Sequence, residues 1–163
     1  MLPDTLKDHP TASAIEAAFP AAVTGGSNAL GETTLFIDVA KIVDVCRFCK
    51  NDLKFIRLCT ITCVDWHLAD PRFELVYHLH SLDRNERIRL KCKVSGDNPE
   101  ADSVTGVWRG ANWYEREMFD LFGIRFRNHP NLTRILLPLD WEGHPLRKDY
   151  PVHGYKYDYP TAE

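Results

Sequence analysis

No stretch of this sequence stays apolar for anything near the roughly 20 residues that a helix needs to cross a bilayer. Met1 to Pro10 carries acids and prolines where a secretion signal needs a basic start and an apolar centre. A cytoplasmic chain that meets a membrane only through partners is therefore expected. Positive charge is also short: 20 Lys and Arg stand against 23 Asp and Glu, for a net charge of -3. That balance argues against nucleic acid as a partner, because neutralising phosphates needs a cationic excess. The sequence has no Gly-rich phosphate loop and no nucleophile accompanied by a base. Its five cysteines, Cys46, Cys49, Cys59, Cys63 and Cys92, are odd in number and set among apolar residues, which reads as reduced core thiols rather than a disulfide framework.

What is present is an ordinary globular composition, 44% hydrophobic and 26% charged, enough for one core and an appended tail. An amphipathic helix is expected from Thr11 to Phe19, a loop at Gly25-Gly26-Ser27-Asn28, and a strand from Thr33 to Val39. Asp38 is placed to cap a helix running to about Lys50, whose Ile42, Val45, Cys46 and Cys49 share one face. From Phe55 to Val94 the period becomes two. The clearest case sets Ile88, Leu90, Cys92 and Val94 inward against Arg87, Arg89, Lys91 and Lys93 outward, after a turn at Asp83 to Glu86. These runs predict an antiparallel sheet with one wet face. Asn112 and Glu115 have the spacing of a capping box, and Gly123 suits the left-handed end of a helix, so Trp113 to Phe122 is expected to be helical. The fold class is thus α+β, an antiparallel sheet packed with helices over residues 1–123. Residues 124–163 follow as an extended Pro- and aromatic-rich tail that lies on a partner.

Several groupings invite chemistry. Cys46 and Cys49 have CxxC spacing, but both fall on the apolar helix face and no second pair completes a metal site, so they are read as core filling. His78 and His80 share a strand face that lacks an obvious further ligand, and that face is read as solvated. The basic stripe at positions 87, 89, 91 and 93 is read as a wet face or a charged protein contact. Glu115, Glu117 and Asp120 could form a carboxylate site, and with His144 a metal-dependent enzyme. The preferred reading is architectural: Arg116 pairs with Asp120 along the helix, and Glu117 is partly buried against an arginine from the tail, such as Arg134 or Arg147. In the tail, Glu142, His144, Arg147, Lys148, Asp149 and Tyr150 form the densest polar-aromatic stretch and are read as a binding segment.

The run Trp113-Tyr114-Glu115-Arg116-Glu117-Met118-Phe119-Asp120-Leu121-Phe122-Gly123-Ile124, then Phe126, His129-Pro130, Leu132, Arg134-Ile135-Leu136 and the stretch from Glu142 to Pro151, resembles the C-type, or thirty-kilodalton, subunit family of respiratory NADH:quinone oxidoreductase, complex I. The match is long and ordered, over roughly residues 103–155. It departs from the family pattern at Thr133, where many relatives have a second basic residue beside Arg134. The resemblance implies a structural subunit of the peripheral arm with no cofactor of its own. FMN, iron-sulfur clusters and quinone would sit in partner subunits. The partners implied are the quinone-reducing D-type subunit, the cluster-bearing B-type subunit and other peripheral-arm subunits, on the cytoplasmic face of the bacterial inner membrane. It implies no catalytic, cofactor or metal residues here, and the complex as a whole would be the proton-translocating enzyme. Similar C-type subunits serve complexes with other donors, including energy-converting hydrogenases and ferredoxin- or deazaflavin-linked relatives.

Overall fold

The computed structural model of the chain describes residues 2–155. Two short helices, α1 (Asp4–Lys7) and α2 (Pro10–Ala18), precede the hairpin β1 (Val23–Ala29) and β2 (Glu32–Ile37). A 3-10 turn at Val39–Lys41 leads into α3 (Ile42–Asn51), and three nine-residue strands follow, β3 (Arg57–Asp65), β4 (Phe73–Ser81) and β5 (Glu86–Val94). The chain then forms β6 (Glu100–Asp102), α4 (Ala111–Phe122) and β7 (Arg125–Arg127). The main sheet has five strands in the order β1-β2-β5-β4-β3, and β6 pairs with β7 in a small second sheet.

The α+β class read from the sequence is the one observed. Its main sheet is antiparallel except where β2 runs parallel to β5, from Thr33 opposite Ile88 to Phe36 opposite Lys91. Asp38 caps as expected, accepting the Ala40 N–H at 3.0 Å, although what it caps is the 3-10 turn leading into α3. Inward residues of the sheet, among them Leu35, Ile61, Leu75, Tyr77, Leu90 and Cys92, form one core with Ile15 of α2, Val45, Cys46 and Cys49 of α3, and Met118 and Phe122 of α4. Both CxxC sulfurs are therefore in the core as free thiols. Burial pushes the Cys46 thiol well up, and that of Cys49 up to about 12.

Three local expectations are corrected. The glycines at positions 25 and 26 lie within β1, not in a loop; the reversal is one step later, at Leu30 and Gly31, both with positive φ, the backbone that suits a tight hairpin. Gly26 is needed for packing, since Leu6 of α1 lies against it. Asn112 does not cap α4, whose first turn starts behind it at Ala111 with Gly110 as N-cap; the Glu115 side chain is drawn off elsewhere. The face bearing His78 and His80 is not solvated along β4: Glu74, Val76 and His80 are buried. Long cationic side chains from β5 lie over this central strand, with stems that cover apolar surface while their heads reach outward.

The position of α4 follows from the edge strand it covers. A bulge between Leu58 and Thr60 leaves Cys59 without a register partner on β4. Its carbonyl accepts instead from the Tyr114 hydroxyl at 2.8 Å, and the Ile56 carbonyl accepts from Trp108 Nε1 at 3.1 Å. The open edge of β3, with the residue before it, is thereby tied to α4 and the turn that precedes it.

A Cβ added at Gly26 would meet Leu6 Cδ1 at 2.6 Å and the Thr34 carbonyl oxygen at 2.8 Å. That carbonyl belongs to the β1–β2 ladder and cannot retreat freely. Gly26→Ala is expected to cost about 1–3 kcal/mol, read as a lower urea midpoint at unchanged slope. An unchanged midpoint would show that α1 yields and that its packing on β1 is loose.

Candidate functional site

The last turn of α4 and the chain that returns across it form the most concentrated polar site in the protein. A helix ends with carbonyls that have no helical partner, and here each is met. Gly123, at φ 75°, donates its N–H to Phe119 O at 2.9 Å, and Ile124 N reaches Met118 O at 3.4 Å. Three further carbonyls turn to the returning segment: Asp120 O accepts from His144 Nδ1 at 2.8 Å, Leu121 O from Leu146 N at 3.1 Å, and Phe122 O from Arg147 Nε at 2.6 Å. Arg147 and Arg134 also set positive charge at the negative end of the helix dipole.

Asp120 is the centre of this arrangement. Its side chain is fully buried, with Oδ2 accepting three successive N–H groups, from Ile135, Leu136 and Leu137, at 2.8 to 3.0 Å. Oδ1 accepts from Arg134 Nη1 at 2.7 Å. Burial works to raise its pKa, but the backbone N–H groups and the guanidinium outweigh it and hold the carboxyl below its ordinary range. Arg134 continues the link, donating through Nη2 to the carbonyls of Trp141 and Gly143 at 2.9 and 3.2 Å. Arg116 donates to the carbonyls of Thr133 and Arg134 at 3.0 and 2.8 Å. The expected Arg116–Asp120 pair along the helix is thus replaced by pairing across to the tail. Thr133 takes part through its backbone alone.

A second anchor lies at the end of β3. Arg72 bridges two carboxylates, donating to both oxygens of Asp65 at 2.8 and 2.7 Å and to both of Asp149 at 2.9 and 2.7 Å. The Lys148 N–H adds a bond to Asp65 at 2.8 Å. The hydrogen bonds from Arg72 bring Asp149 down to about 2 and lower Asp65 as well. Arg72 and Arg147 stand over the Phe73 ring, 4.9 and 5.3 Å from its centroid. Sequence reasoning missed Asp65 and Arg72. The available signal was parity: Asp65 continues the inward series Ile61, Cys63, and a carboxylate at a core position requires a partner.

Glu115 forms a third, separate element. It is fully buried, accepting from Ser103 Oγ at 2.6 Å and from Val104 N at 2.7 Å. The His129 ring lies 3.9 Å away. His129 Nδ1 accepts the Asn131 N–H at 3.0 Å, which assigns the ring proton to Nε2, facing the Asn112 carbonyl at 3.3 Å. The imidazole is therefore neutral, in line with the downward push of burial on its pKa.

The eleven residues singled out from the sequence thus separate. Arg116, Asp120, Arg134, His144, Arg147 and Asp149 are brought together with the backbone of Lys148 to fasten the returning segment. Glu115 lies in its own buried network. Glu117 is half-buried and makes none of the arginine contacts expected of it, since Arg134 goes to Asp120 and Arg147 to Phe122 O. Tyr150 donates its hydroxyl to the Glu142 carbonyl at 3.3 Å and packs edge-on against Tyr155. The side chains of Glu142 and Lys148 are exposed. Of the residues named for the enzyme alternative, Glu115, Asp120 and His144 are engaged by protein groups, and among the described residues no three His, Cys, Asp or Glu converge as a metal site. The tail aromatics at positions 157 and 159 lie outside the described residues.

Asp120→Asn leaves Arg134 without its counter-charge. It is expected to lower stability by about 3 kcal/mol, toward the lower end for a broken buried pair because 16% of the Arg134 side chain is exposed. Limited trypsin digestion should then cut between residues 134 and 148 faster, with the sheet retained by circular dichroism. A digestion rate like that of the parent would contradict the anchoring role.

Burial lifts the Glu115 carboxyl to about 7 from its ordinary 4.5. Between these pH values the folded chain holds a proton that the unfolded chain has released. Stability should therefore fall as pH rises through this window, by roughly 3 kcal/mol in total. Glu115→Gln can accept from Val104 and donate to Ser103, and should remove that slope. Comparing the two proteins isolates Glu115 from His78, His129 and His144, whose pKa values, lowered by desolvation, act with the opposite sign. Superimposable pH profiles of urea stability would place the titration elsewhere.

The model for the family described as "Respiratory-chain NADH dehydrogenase, 30 Kd subunit" matches residues 35–156. The C-type subunit of the NADH-quinone oxidoreductase of Roseiflexus sp. (strain RS-1) is 49% identical over 140 residues, covering 85% of this chain and 80% of that protein. Its counterpart in Geobacter sulfurreducens is 49% identical over 126 residues, covering 76% of this chain and 77% of that one. Among solved structures, a trypsin-resistant fragment of Nqo5 superposes with a TM-score of 0.61 at 29% identity, over 66% of this chain and 88% of the fragment. A chain of the membrane-bound sulfane sulfur reductase, an archaeal respiratory membrane complex, superposes with a TM-score of 0.76 at 25% identity, over 93% of this chain and 92% of that one. With matched residues that include both anchors of the returning segment, this chain belongs to the respiratory-chain NADH dehydrogenase 30 kDa subunit family.

Proposed function

We propose that this chain is a cofactor-free structural subunit of the peripheral arm of a proton-translocating NADH:quinone oxidoreductase. In this reading it docks through its returning segment on the quinone-reducing D-type subunit, close to the cluster-bearing B-type subunit. Flavin, iron-sulfur clusters and quinone belong to its partners, and electron transfer is the work of the assembly, at the cytoplasmic face of the membrane. No helix among the described residues is long and apolar enough to cross a membrane, so attachment through partners is consistent with the chain.

One observation carries the docking assignment. The returning segment is fixed to its own domain on the inner side, while its outer side presents Leu136, Leu139, Trp141 and Leu146, of which Leu139 is 85% exposed. An extended segment held in place with apolar side chains outward has already lost the freedom that binding would otherwise remove. An exposed patch of this kind marks an interaction surface, and the Lys148 side chain beside it offers charge for register.

A related complex with another electron donor is the second reading; the likeness to a chain of the sulfane sulfur reductase over 93% of this one supports it only in that the name of that respiratory membrane complex mentions neither NADH nor quinone. The relatives at 49% identity carry the NADH-quinone oxidoreductase name and favour the first. The donor-oxidising protein that copurifies with the chain separates the two.

Leu136→Glu with Leu139→Glu changes exposed side chains and leaves the backbone groups that Asp120 holds. The variant should fold like the parent, yet its capture by a purified D-type subunit should fall at least about tenfold, as expected for losing apolar anchors at an interface. The chain alone should show no flavin or cluster absorbance. Undiminished capture would move the interface off the returning segment, and a chromophore bound at one per chain would overturn the cofactor-free reading.

A further inference from the structure

The sheet face opposite the helices has no helix packed on it among the described residues. Two grooves, of about 480 and 500 Å³, lie there, one at each end. The strand register sets its side chains in rows: Arg57 opposite His80 opposite Arg87, then Thr60, His78, Arg89 and Thr34, then Thr62, Val76, Lys91 and Phe36. Five cations stand on this face, and their counter-charges are few. Arg89 pairs with Glu32 and also reaches Thr34 Oγ1 at 3.2 Å. Lys91 and Lys93 share one carboxylate, Glu74, at 3.0 and 3.6 Å. Asp38 lines the same groove as these lysines but caps its own turn. Arg57 and Arg87 are exposed, and their side chains have no ion pair or hydrogen bond within the described residues.

We propose that this open face is a second docking surface, taking an extended acidic segment of a neighbouring subunit. The inference rests on the reading of the chain as a subunit, and concerns a face other than the outer side of the returning segment. A local cationic excess on a chain whose net charge is -3 selects a short anionic partner. A long polyanion is repelled by the rest of the molecule, while a short segment experiences mainly the nearby field. The shape also fits a peptide. Two grooves along one nine-residue strand span roughly 30 Å, the length of an extended segment, whereas a bilayer surface is flat. Beside the cations the half-buried Phe36 supplies apolar surface, and Trp66, with Lys93 Nζ 5.1 Å from its ring centroid, stands at one end as an aromatic anchor. Carboxylates spaced two residues apart would fall on the same side of such a strand, toward Arg87 and Arg57 at the end that lacks internal counter-charges.

The test uses the full chain in the complex isolated from its native membrane, with a benzophenone amino acid replacing Thr62, an exposed residue midway along the edge strand β3, beside Val76 on this face. A second version carries the probe at Leu139. Irradiation and peptide mass spectrometry should place the Thr62 adduct on an Asp/Glu-rich segment of another subunit. Arg57→Glu with Arg87→Glu should lower the adduct yield about tenfold, and Lys or Arg introduced into the captured segment should restore it. The proposal is overturned by adducts to lipid, nucleic acid, a second copy of this chain or a neutral or basic segment. It is equally overturned if Thr62 gives no adduct while Leu139 does. If the chain does not copurify with any complex, the subunit reading fails and the proposal with it. That outcome is distinct from an assembled complex with an unoccupied face.

Discussion

The C-terminal turn of α4 is the constraint from which the second half of the molecule follows. A buried helix end must satisfy its carbonyls, and this one does so by recruiting a segment more than twenty residues downstream, through His144, Leu146 and Arg147. Asp120 makes the recruitment specific. A lone carboxylate in the core is costly, and this one is stabilised by three consecutive backbone N–H groups and a guanidinium. The prolines that prevent a helix in the returning segment leave its N–H groups free for that purpose. Helix termination, burial of a charge and placement of the segment are therefore one event.

The second anchor has a different chemistry and a complementary role. Arg72 is held by two carboxylates, one from the end of β3 and one from the returning segment, and depends on both. Between the anchors, Gly123 admits the close approach of His144 and Arg147: a Cβ there would lie within 2.6 Å of both side chains. Its left-handed backbone serves the helix end, and its missing side chain serves the cations that cap it. Both requirements meet at one residue: the left-handed backbone is demanded whatever surrounds it, and the missing side chain is demanded by His144 and Arg147.

Much of this was legible locally. The period-two runs gave β3, β4 and β5, the glycine at position 123 marked the end of α4, and the helical spacing of Cys46 and Cys49 put them in the core. What was not legible depended on residues distant in sequence. Gly25 and Gly26 looked like a loop because nothing nearby indicates that α1 will lie against them. The parallel pairing of β2 with β5 joins segments more than fifty residues apart. Local spacing offered Arg116 as the partner of Asp120, but Arg134, fourteen residues on, takes that place because burial favours a guanidinium that also holds the returning backbone. For Asp65 the local pattern did contain a warning, a charge at an inward position, without naming the partner.

The returning segment is held mostly by its own backbone: the N–H groups of residues 135–137, 146 and 148, and the carbonyls of Thr133, Arg134, Trp141 and Gly143. Any amino acid other than proline supplies these N–H donors, and every residue supplies the carbonyl. The path of the segment is consequently insensitive to the identity of most side chains it carries outward. Such a surface can accumulate substitutions without losing its shape, and can follow changes in whatever it binds while the fold beneath it stays the same.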